Sequence, residues 1–510
     1  MDILNTPSLI FVTTAIPMIT AILLMISGKK PNLRESWSVI GAILTFLSVM
    51  NLLPQVLAGI PLEHTFFTLF PGVSVKFRLD GMGLLFAGTS SFLWILAAIY
   101  CVGYMRGLNE HAQTRFYVCY AISVGGAMGA AFAGNLFTLY LFYEIVSIAT
   151  YPLVMHHQDA EGYDGGKKYI VYLFFTSKAF LLTGMVLLYM QCHTLDFDAT
   201  GIVNGILPEG ANRTLVIVTY LMFLFGFAKS GIMPLHNWLP SAMVAPTPVS
   251  ALLHAVVVVK VGVFSTSRVM LSIFGTQLLH DTGLGMFTAY FVSFTILTAS
   301  IIALTKTNLK ARLAYSTVSQ LSYILLGVAM LTPNSVTGGL IHISNHAFSK
   351  ITLFFCAGCI FVASGKKDIK EMGGLGYRMP FTMVAFAIAS LSMIGVPPVC
   401  GFVTKWYLAL GSMDIHNWII LTVLLVSSLL NAGYFVPIVI QAFFGKPLPE
   451  DEGLTSSLEK SPLIMFMVVP LTITAIFSVI FGFYPDFFIK IVASADTNFF
   501  GNIIKGIVGL

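Results

Sequence analysis

The sequence is built from apolar stretches, each long enough to cross a lipid bilayer as an α-helix. A transmembrane helix needs about 20 predominantly apolar residues, and only helices or closed barrels satisfy the backbone hydrogen bonds in lipid. We predict an all-α polytopic membrane protein with about 14 transmembrane helices. The spans are placed at residues 7–27, 38–58, 79–105, 116–133, 135–155, 169–190, 214–238, 245–273, 283–305, 311–331, 336–362, 382–411, 417–444 and 464–484.

The composition excludes a water-soluble protein. With 57% apolar and 10% charged residues, the chain has too little polar surface to surround a core of this size. The opening residues, MDILNTPS, contain neither a basic segment nor a small-residue cleavage site, so we expect the first span to remain in the mature protein.

Lysine and arginine are distributed unevenly between the two sides of the membrane that this arrangement defines. Of the 27 such residues, sixteen lie on the side reached after the first span and six on the opposite side. Basic residues concentrate in cytoplasmic loops. Both termini are therefore expected on the non-cytoplasmic side, and the net charge of +5 does not indicate nucleic-acid binding.

A small group of charged residues lies inside the predicted spans, where a charge is costly and usually functional. The group contains five bases and one deeply placed acid: Lys178, Lys229, Lys260, Lys350, Lys405 and Glu144. One carboxylate cannot neutralise five lysines, and burial disfavours the charged form of a lysine. Some of these lysines are thus expected to exchange protons, as a proton relay requires.

Histidines extend this line. His342, His346 and Lys350 recur every four residues in GGLIHISNHAFSKITLFF, which places them on one helix face. The flanking Ser344, Asn345 and Ser349 are expected to help hold water along it, so the stripe is predicted to conduct protons. His254 stands six positions before Lys260, so its place in the line is less defined.

Two apolar spans are interrupted by proline close to a lysine. Pro234 follows Lys229 in FAKSGIMPLHNWLP, and Pro397 and Pro398 precede Lys405 in SMIGVPPVCGFVTKWYLALG. Interrupted helices in corresponding places of two halves indicate inverted repeats around a site near the midplane of the membrane. The breaks divide the chain into 1–110 (three spans), 111–275 (first repeat, spans 4–8), 276–445 (second repeat, spans 9–13) and 446–510 (one span and an interfacial tail).

Several longer motifs strengthen this interpretation. They are FAKSGIMPLHNWLPSAMVAPTPVSALLHAVVVVKVGVF, LKARLAYSTVSQLSYILLG, HAFSKITLFF and FYEIVSIATYPL. Together they resemble the antiporter-like proton-translocating subunits shared by respiratory complex I, membrane-bound hydrogenases and Mrp-type cation/proton antiporters. The resemblance extends from about Asp80 to the last span.

The resemblance implies roles for particular residues. Glu144 and Lys229 match the pair that couples conformational change to proton uptake. Lys260, His342 and His346 match central relay positions, with Lys350 beside them, and Lys405 matches the exit residue. The resemblance also implies partner membrane subunits, transport of H+ and in some members Na+, no cofactor in this chain, and the bacterial cytoplasmic membrane as location.

Some positions depart from the family pattern. Lys405 stands where one complex I paralogue usually has glutamate, Gln320 stands where some members have histidine, and Lys178 matches no relay position. The similarity is greatest to the D subunit of Mrp antiporters, which implies Na+/H+ exchange by the whole complex.

Two other functions stay open. The chain could instead be a proton-pumping arm of an NADH:quinone oxidoreductase or hydrogenase, with electron transfer in partner subunits, because it contains no dinucleotide-binding loop or paired cysteine clusters. A free-standing solute transporter would need a polar pocket for a metabolite, whereas the sequence predicts a line of lysines and histidines.

Overall fold

The computed structural model describes residues 6–60, 62–199, 201–208, 210–447, 449, 457–501 and 503. The first residues of the chain, and with them most of the MDILNTPS segment, lie outside this range. So does residue 504 onward, which belongs to the predicted interfacial tail.

The described chain is mainly helical. The helices are α1 (Thr6–Ile26), α2 (Pro31–Leu57), α3 (Gly81–Gly107), α4 (Gln113–Ala131), α5 (Leu136–Val154), α6 (Ala160–Thr176), α7 (Thr183–Cys192), α8 (Arg213–Gly226), α9 (Trp238–Ser241), α10 (Val258–Val269), α11 (Gly275–Asp281), α12 (Leu284–Thr305), α13 (Leu309–Ala329), α14 (Pro333–Ser364), α15 (Leu375–Arg378), α16 (Pro380–Ile394), α17 (Cys400–Asp414), α18 (Trp418–Phe444), α19 (Pro462–Phe483) and α20 (Asp486–Ala493). Asparagine side chains cap several starts, as Asn135 does by accepting a hydrogen bond from the amide of Thr138.

Within the described ranges, ten helical segments are long and apolar enough to cross a membrane. The chain is therefore an integral membrane protein. Helices α4 and α13 fall outside this set although they are 19 and 21 residues long. Because α13 carries two basic residues and several hydroxyls among its apolar residues, length alone does not establish its crossing, and the count of 14 spans stays a prediction.

A β-hairpin corrects the prediction of an all-α chain. Strands β1 (Leu62–Phe70) and β2 (Val73–Leu79) pair antiparallel between α2 and α3. The hairpin is tied to the start of α5, where the amide of Lys76 donates to the Thr138 hydroxyl at 2.9 Å. The sequence HTFFTLFPGVSVKFRL has the aromatic and β-branched residues and the Pro-Gly turn typical of a hairpin.

Both proline interruptions break a helix, as predicted. Helix α8 ends at Gly226, a single 3-10 turn (Ala228–Ser230) carries Lys229, and helical structure resumes at Trp238. In the second break, α16 ends at Ile394 and α17 begins at Cys400. The Met233–Pro234 and Pro397–Pro398 peptide bonds are both cis.

Two long helical segments of the described chain also contain three π-helical turns, which the sequence did not predict. They lie at Ser177–Leu182, between α6 and α7, at Val249–Val257, which leads into α10, and at Met270–Phe274, between α10 and α11. Such turns are often found at functional sites, and two of these contain predicted intramembrane residues, Lys178 and His254.

Candidate proton-relay site

Lys229 lies at the first break and is completely buried. Its Nζ donates to the backbone carbonyl of Tyr143 on α5 and lies 3.4 Å from the centre of the Tyr143 ring. The Tyr143 hydroxyl accepts a hydrogen bond of 3.3 Å from the Lys229 amide. A carbonyl dipole and an aromatic face together provide partial negative charge without a formal ion pair.

Glu144 follows Tyr143 on α5, but its ion pair is with Lys178. The distance between Lys178 Nζ and Glu144 Oε2 is 3.1 Å, and the Lys178 side chain is about half exposed at the surface of the chain. Lys178 also donates to the Tyr140 hydroxyl at 2.7 Å. Lys178, which matched no relay position, therefore contacts Glu144, because the π-helical turn lies beside α5.

The first break is held in place from two directions. The Trp238 indole donates to the Ala228 carbonyl at 3.0 Å, and this hydrogen bond joins the two ends of the irregular segment between α8 and α9. Gly262 on α10 packs against the turn so closely that a Cβ there would lie 2.3 Å from the Lys229 carbonyl carbon. The broken segment therefore touches α10 two residues from Lys260.

Lys260 contacts the histidine stripe directly. Its Nζ is hydrogen-bonded to Nδ1 of His346, and both residues are buried. His342 lies one turn earlier on α14, with 5.5 Å between the two imidazole centres, and its Nε2 is 2.9 Å from Oε1 of Gln320 on α13. The structure thus brings the two predicted histidines and Lys260 together.

The polar neighbours of the stripe bond to neighbouring helices. Ser344 bonds to Thr89 at 2.6 Å, Ser349 bonds to Ser392 at 2.6 Å, and Asn345 donates to the Cys400 carbonyl at 3.1 Å. These bonds tie α14 to α3, α16 and α17. That these side chains also help hold water along the stripe stays a prediction.

Lys350, the last member of the stripe, connects to residues that sequence analysis missed. Its Nζ donates to the Ser316 hydroxyl on α13 at 2.8 Å. The Tyr434 hydroxyl on α18 lies 3.1 Å from the same Ser316 oxygen and contacts Oδ1 of Asn431. These partners were missed because they are uncharged and lie on other helices, Ser316 on α13 and Asn431 and Tyr434 on α18.

Lys405 lies at the second break, where the last carbonyls of α16 have no hydrogen-bond partner within that helix. Its Nζ donates to the Met393 and Ile394 carbonyls at 3.1 and 2.7 Å, and to the Ser428 hydroxyl at 2.9 Å. A cation is favoured at a helix C-terminus, where the carbonyl dipoles point outward. The Asn431 side-chain amide donates to the same Met393 carbonyl at 3.1 Å, which joins Lys405 to the Lys350 side of the site.

His254 lies apart from the other histidines. It is buried in the π-helical turn before α10, and its ring is 6.2 Å from the Trp238 ring. Among the residues that the structure describes, neither of its ring nitrogens has a hydrogen-bond partner. Its contact with Trp238 places His254 near the first break rather than beside His342 and His346.

The site contains mainly nitrogen and hydroxyl groups. Proton exchange between a lysine amine, an imidazole and a hydroxyl needs hydrogen-bond contact, which Lys260 has with His346 and Lys350 has with Ser316. The line offers little of the multiple-oxygen coordination that Na+ prefers over nitrogen ligands. No redox group is required for this chemistry.

The chain is similar to several known membrane subunits. The family model described as NADH:quinone oxidoreductase/Mrp antiporter, TM, matches residues 133–431. NADH-quinone oxidoreductase subunit N of Desulforudis audaxviator is 33% identical over 413 residues, covering 78% of this chain and 79% of the relative. Na(+)/H(+) antiporter subunit A1 of Staphylococcus aureus is 29% identical, covering 94% of this chain but only 61% of the relative.

Solved structures show the same fold. The Mrp complex from Dietzia sp. DQ12-45-1b contains a chain with a TM-score of 0.80 and 21% identity, with 96% of this chain and 98% of that chain covered. A chain of an archaeal membrane-bound sulfane sulfur reductase has a TM-score of 0.84 and 24% identity, with 96% and 97% covered. With the family match and the 33% identical relative, these findings show that the chain belongs to the family of NADH:quinone oxidoreductase and Mrp antiporter transmembrane subunits.

Proposed function

We propose that the chain is a proton-translocating subunit of a multisubunit Na+/H+ antiporter of the Mrp type. The observation that carries this proposal is a set of buried contacts between Lys229 at one break and Lys405 at the other. Lys260 is bonded to His346, and Lys350 is joined to Lys405 through Ser316, Tyr434, Asn431 and the Met393 carbonyl. The steps from Lys229 to Lys260 and from His346 to Lys350 are part of the proposal.

The Glu144 carboxylate acts as the switch in this scheme. When Glu144 faces Lys178, Lys229 keeps only the Tyr143 carbonyl and ring as partners, which favours release of its proton towards Lys260. When Glu144 turns to Lys229, the carboxylate stabilises the protonated amine again. Moving a charge against the membrane potential costs about 2.3 kcal/mol per 100 mV, so the cation gradient or another subunit must drive the cycle.

We also propose that residues 111–275 and 276–445 are inverted repeats, flanked by 1–110 and 446–510. Two matching features support this arrangement. Asn135 pairs with Asp196 in an isolated β-bridge, and Asn308 pairs with Asp368 in the same way, each joining the second helix of a repeat to the loop before its broken helix. Lys405 lies 5.4 Å from the Tyr323 ring of the second repeat, as Lys229 lies over Tyr143 in the first.

In this arrangement, both termini face away from the cytoplasm of a bacterial inner membrane. The Na+ pathway lies in a partner subunit, since the line in this chain is mainly nitrogen. Lipids surround the helices, and partner subunits are expected at the ends of the relay.

A second assembly is favoured by the 33% identity to a subunit of an NADH-quinone oxidoreductase. In that case the same relay would be driven by electron transfer in partner subunits. The distinguishing measurement is proton flux in inverted vesicles that carry the intact complex, without any electron donor. Flux driven by a Na+ gradient supports the antiporter, whereas flux that starts only when NADH or another donor is added would overturn it.

Replacing Tyr434 with phenylalanine is expected to slow proton flux by about tenfold while leaving assembly intact. The change removes the hydroxyl beside Ser316. Loss of one buried hydrogen bond raises the free-energy barrier to proton transfer by about 1.4 kcal/mol, which corresponds to a tenfold lower rate. The matched control is Tyr220→Phe, because Tyr220 is equally buried and its hydroxyl bonds to Thr288 at 2.6 Å away from the relay. Equal flux in the two variants would remove Tyr434 from the pathway.

A further inference from the structure

A cluster of imidazole and carboxylate groups lies outside the relay, where the loop between α3 and α4 meets the end of α5. Glu110 and His111 belong to the first segment, and His156 and His157 follow the second. The ligand atoms of Glu110, His111 and His156 all lie within 4.8 Å of one another. Glu110 Oε2 is 3.7 Å from His156 Nε2 and 3.6 Å from His157 Nδ1.

His156 provides a second and independent observation. Its side chain is completely buried, yet neither ring nitrogen has a hydrogen bond of normal length among the described residues. Its Nε2 instead points towards the Glu110 carboxylate. Burying polar atoms with only such a long contact is costly, so the His156 imidazole is well placed to bind a cation together with the Glu110 carboxylate.

Two neighbouring side chains hold His156 in this orientation. The Arg115 guanidinium donates to the His156 carbonyl at 3.0 Å, and the Phe116 ring packs edge-on against the imidazole at 5.7 Å. The His111 ring lies 4.8 Å from the His156 ring on its other side. The buried histidine is therefore fixed, whereas His111 and His157 lie at the exposed edge and can rotate.

We propose that Glu110, His111, His156 and His157 bind one divalent transition-metal ion, with Zn2+ as the best match. Zn2+ is held by imidazole nitrogen and carboxylate oxygen at about 2.0–2.2 Å in tetrahedral geometry. Ligand atoms around one tetrahedral ion lie about 3.5 Å apart, so those of Glu110, His111 and His156 have to approach one another by about 1 Å. His157, which lies beside Glu110, has to rotate inward to complete the set. The ion would tie the loop after α3 to the end of α5.

An ion can reach this cluster from solvent. Glu110 and His157 line a cavity of about 670 Å3, and Asp159 and Glu161 line the same cavity and favour cations there. Lys310, Lys366 and Lys367 form another part of its wall. The bound ion would lie at the edge of this cavity, and the proposal does not depend on which assembly the chain belongs to.

The test measures the stoichiometry of Zn2+ binding to the intact complex by calorimetry, and uses Co2+ as a visible-absorption probe of nitrogen ligation. The test variant is His111→Ala with His157→Ala, which leaves the buried His156 in place. The control is His280→Ala, because His280 is also exposed and lies 3.3 Å from the Asp281 carboxylate. Both variants are compared with the wild-type complex. Any metal ions bound by partner subunits then contribute equally to every measured stoichiometry, and only the difference between the proteins is interpreted.

We expect the test variant to bind one Zn2+ fewer per chain than the wild type and the control, and to lose the matching Co2+ absorption. Equal stoichiometry in all three proteins would overturn the proposal and leave Glu110 as an ordinary ion-pair partner of the histidines. If the double variant does not assemble, Glu110→Gln provides the same comparison, because it keeps the shape of the side chain and removes the anionic ligand.

Discussion

Replacing Lys229 with alanine is expected to reduce cation-driven proton flux by about 100-fold, to the level of vesicles without the complex. Lys229 is the buried base at the first break, and removing a group that exchanges a proton typically costs a factor of about 100 or more. Glu144→Ala is expected to have a similar effect, because Lys229 then loses the carboxylate that alternates with Lys178. The measurement is fluorescence dequenching in inverted vesicles after a Na+ pulse.

Lys229→Arg separates a titrating lysine from a static charge. Arginine keeps the positive charge but does not release its proton under these conditions. We therefore expect Lys229→Arg to be as inactive as Lys229→Ala, whereas Lys29→Ala, at an exposed lysine in the loop after α1, should behave as the wild type. Normal flux through Lys229→Arg would show that Lys229 only balances charge.

Replacing Gly262 with alanine is expected to displace the first break and destabilise the protein by about 1–3 kcal/mol, the usual range for overpacking. The added methyl would lie 2.3 Å from both the Lys229 carbonyl carbon and the Ser230 amide nitrogen. These are backbone atoms of a segment held by Trp238, so they cannot move aside as a flexible side chain would. The result is measured as the thermal unfolding midpoint of the purified complex.

Gly433→Ala is the matched control for this prediction. Gly433 lies in α18, and a Cβ there would meet only the end of the Leu304 side chain, at an ordinary contact distance of 3.4 Å. The control should keep both the unfolding midpoint and the proton flux of the wild type. A Gly262→Ala protein with unchanged midpoint and flux would show that α10 is free to move away from the break.

The sequence predicted those features of the fold that the lipid bilayer requires, namely long apolar helices and the positions where they break. Long apolar runs have few alternatives to helices in lipid, and proline next to an intramembrane lysine marks a broken helix. The β-hairpin at Leu62–Leu79 was missed because a search for 20-residue apolar windows passes over a short alternating pattern. The π-helical turns carry no clear local sequence signal.

The charged residues and histidines of the candidate site were predicted from the sequence, whereas its neutral polar residues were missed. Glu144, the lysines and the histidines stand out because charge and imidazole are rare in apolar runs. Ser316, Asn431 and Tyr434 resemble many other polar residues of the chain until α13 and α18 come together beside Lys350. The partner of Glu144 was also beyond prediction, since Lys178 reaches it only from a neighbouring helix.

The sequence by itself determined that the chain is a membrane protein, where its helices break and which charges lie within them. These properties follow from local hydropathy and backbone chemistry, which a linear sequence displays directly. Only the tertiary structure decided which groups touch: Lys229 with Tyr143, Glu144 with Lys178, Lys350 with Ser316, and the Glu110 and His156 cluster. Such contacts depend on how helices distant in sequence pack side by side, and that packing is set by many weak interactions at once.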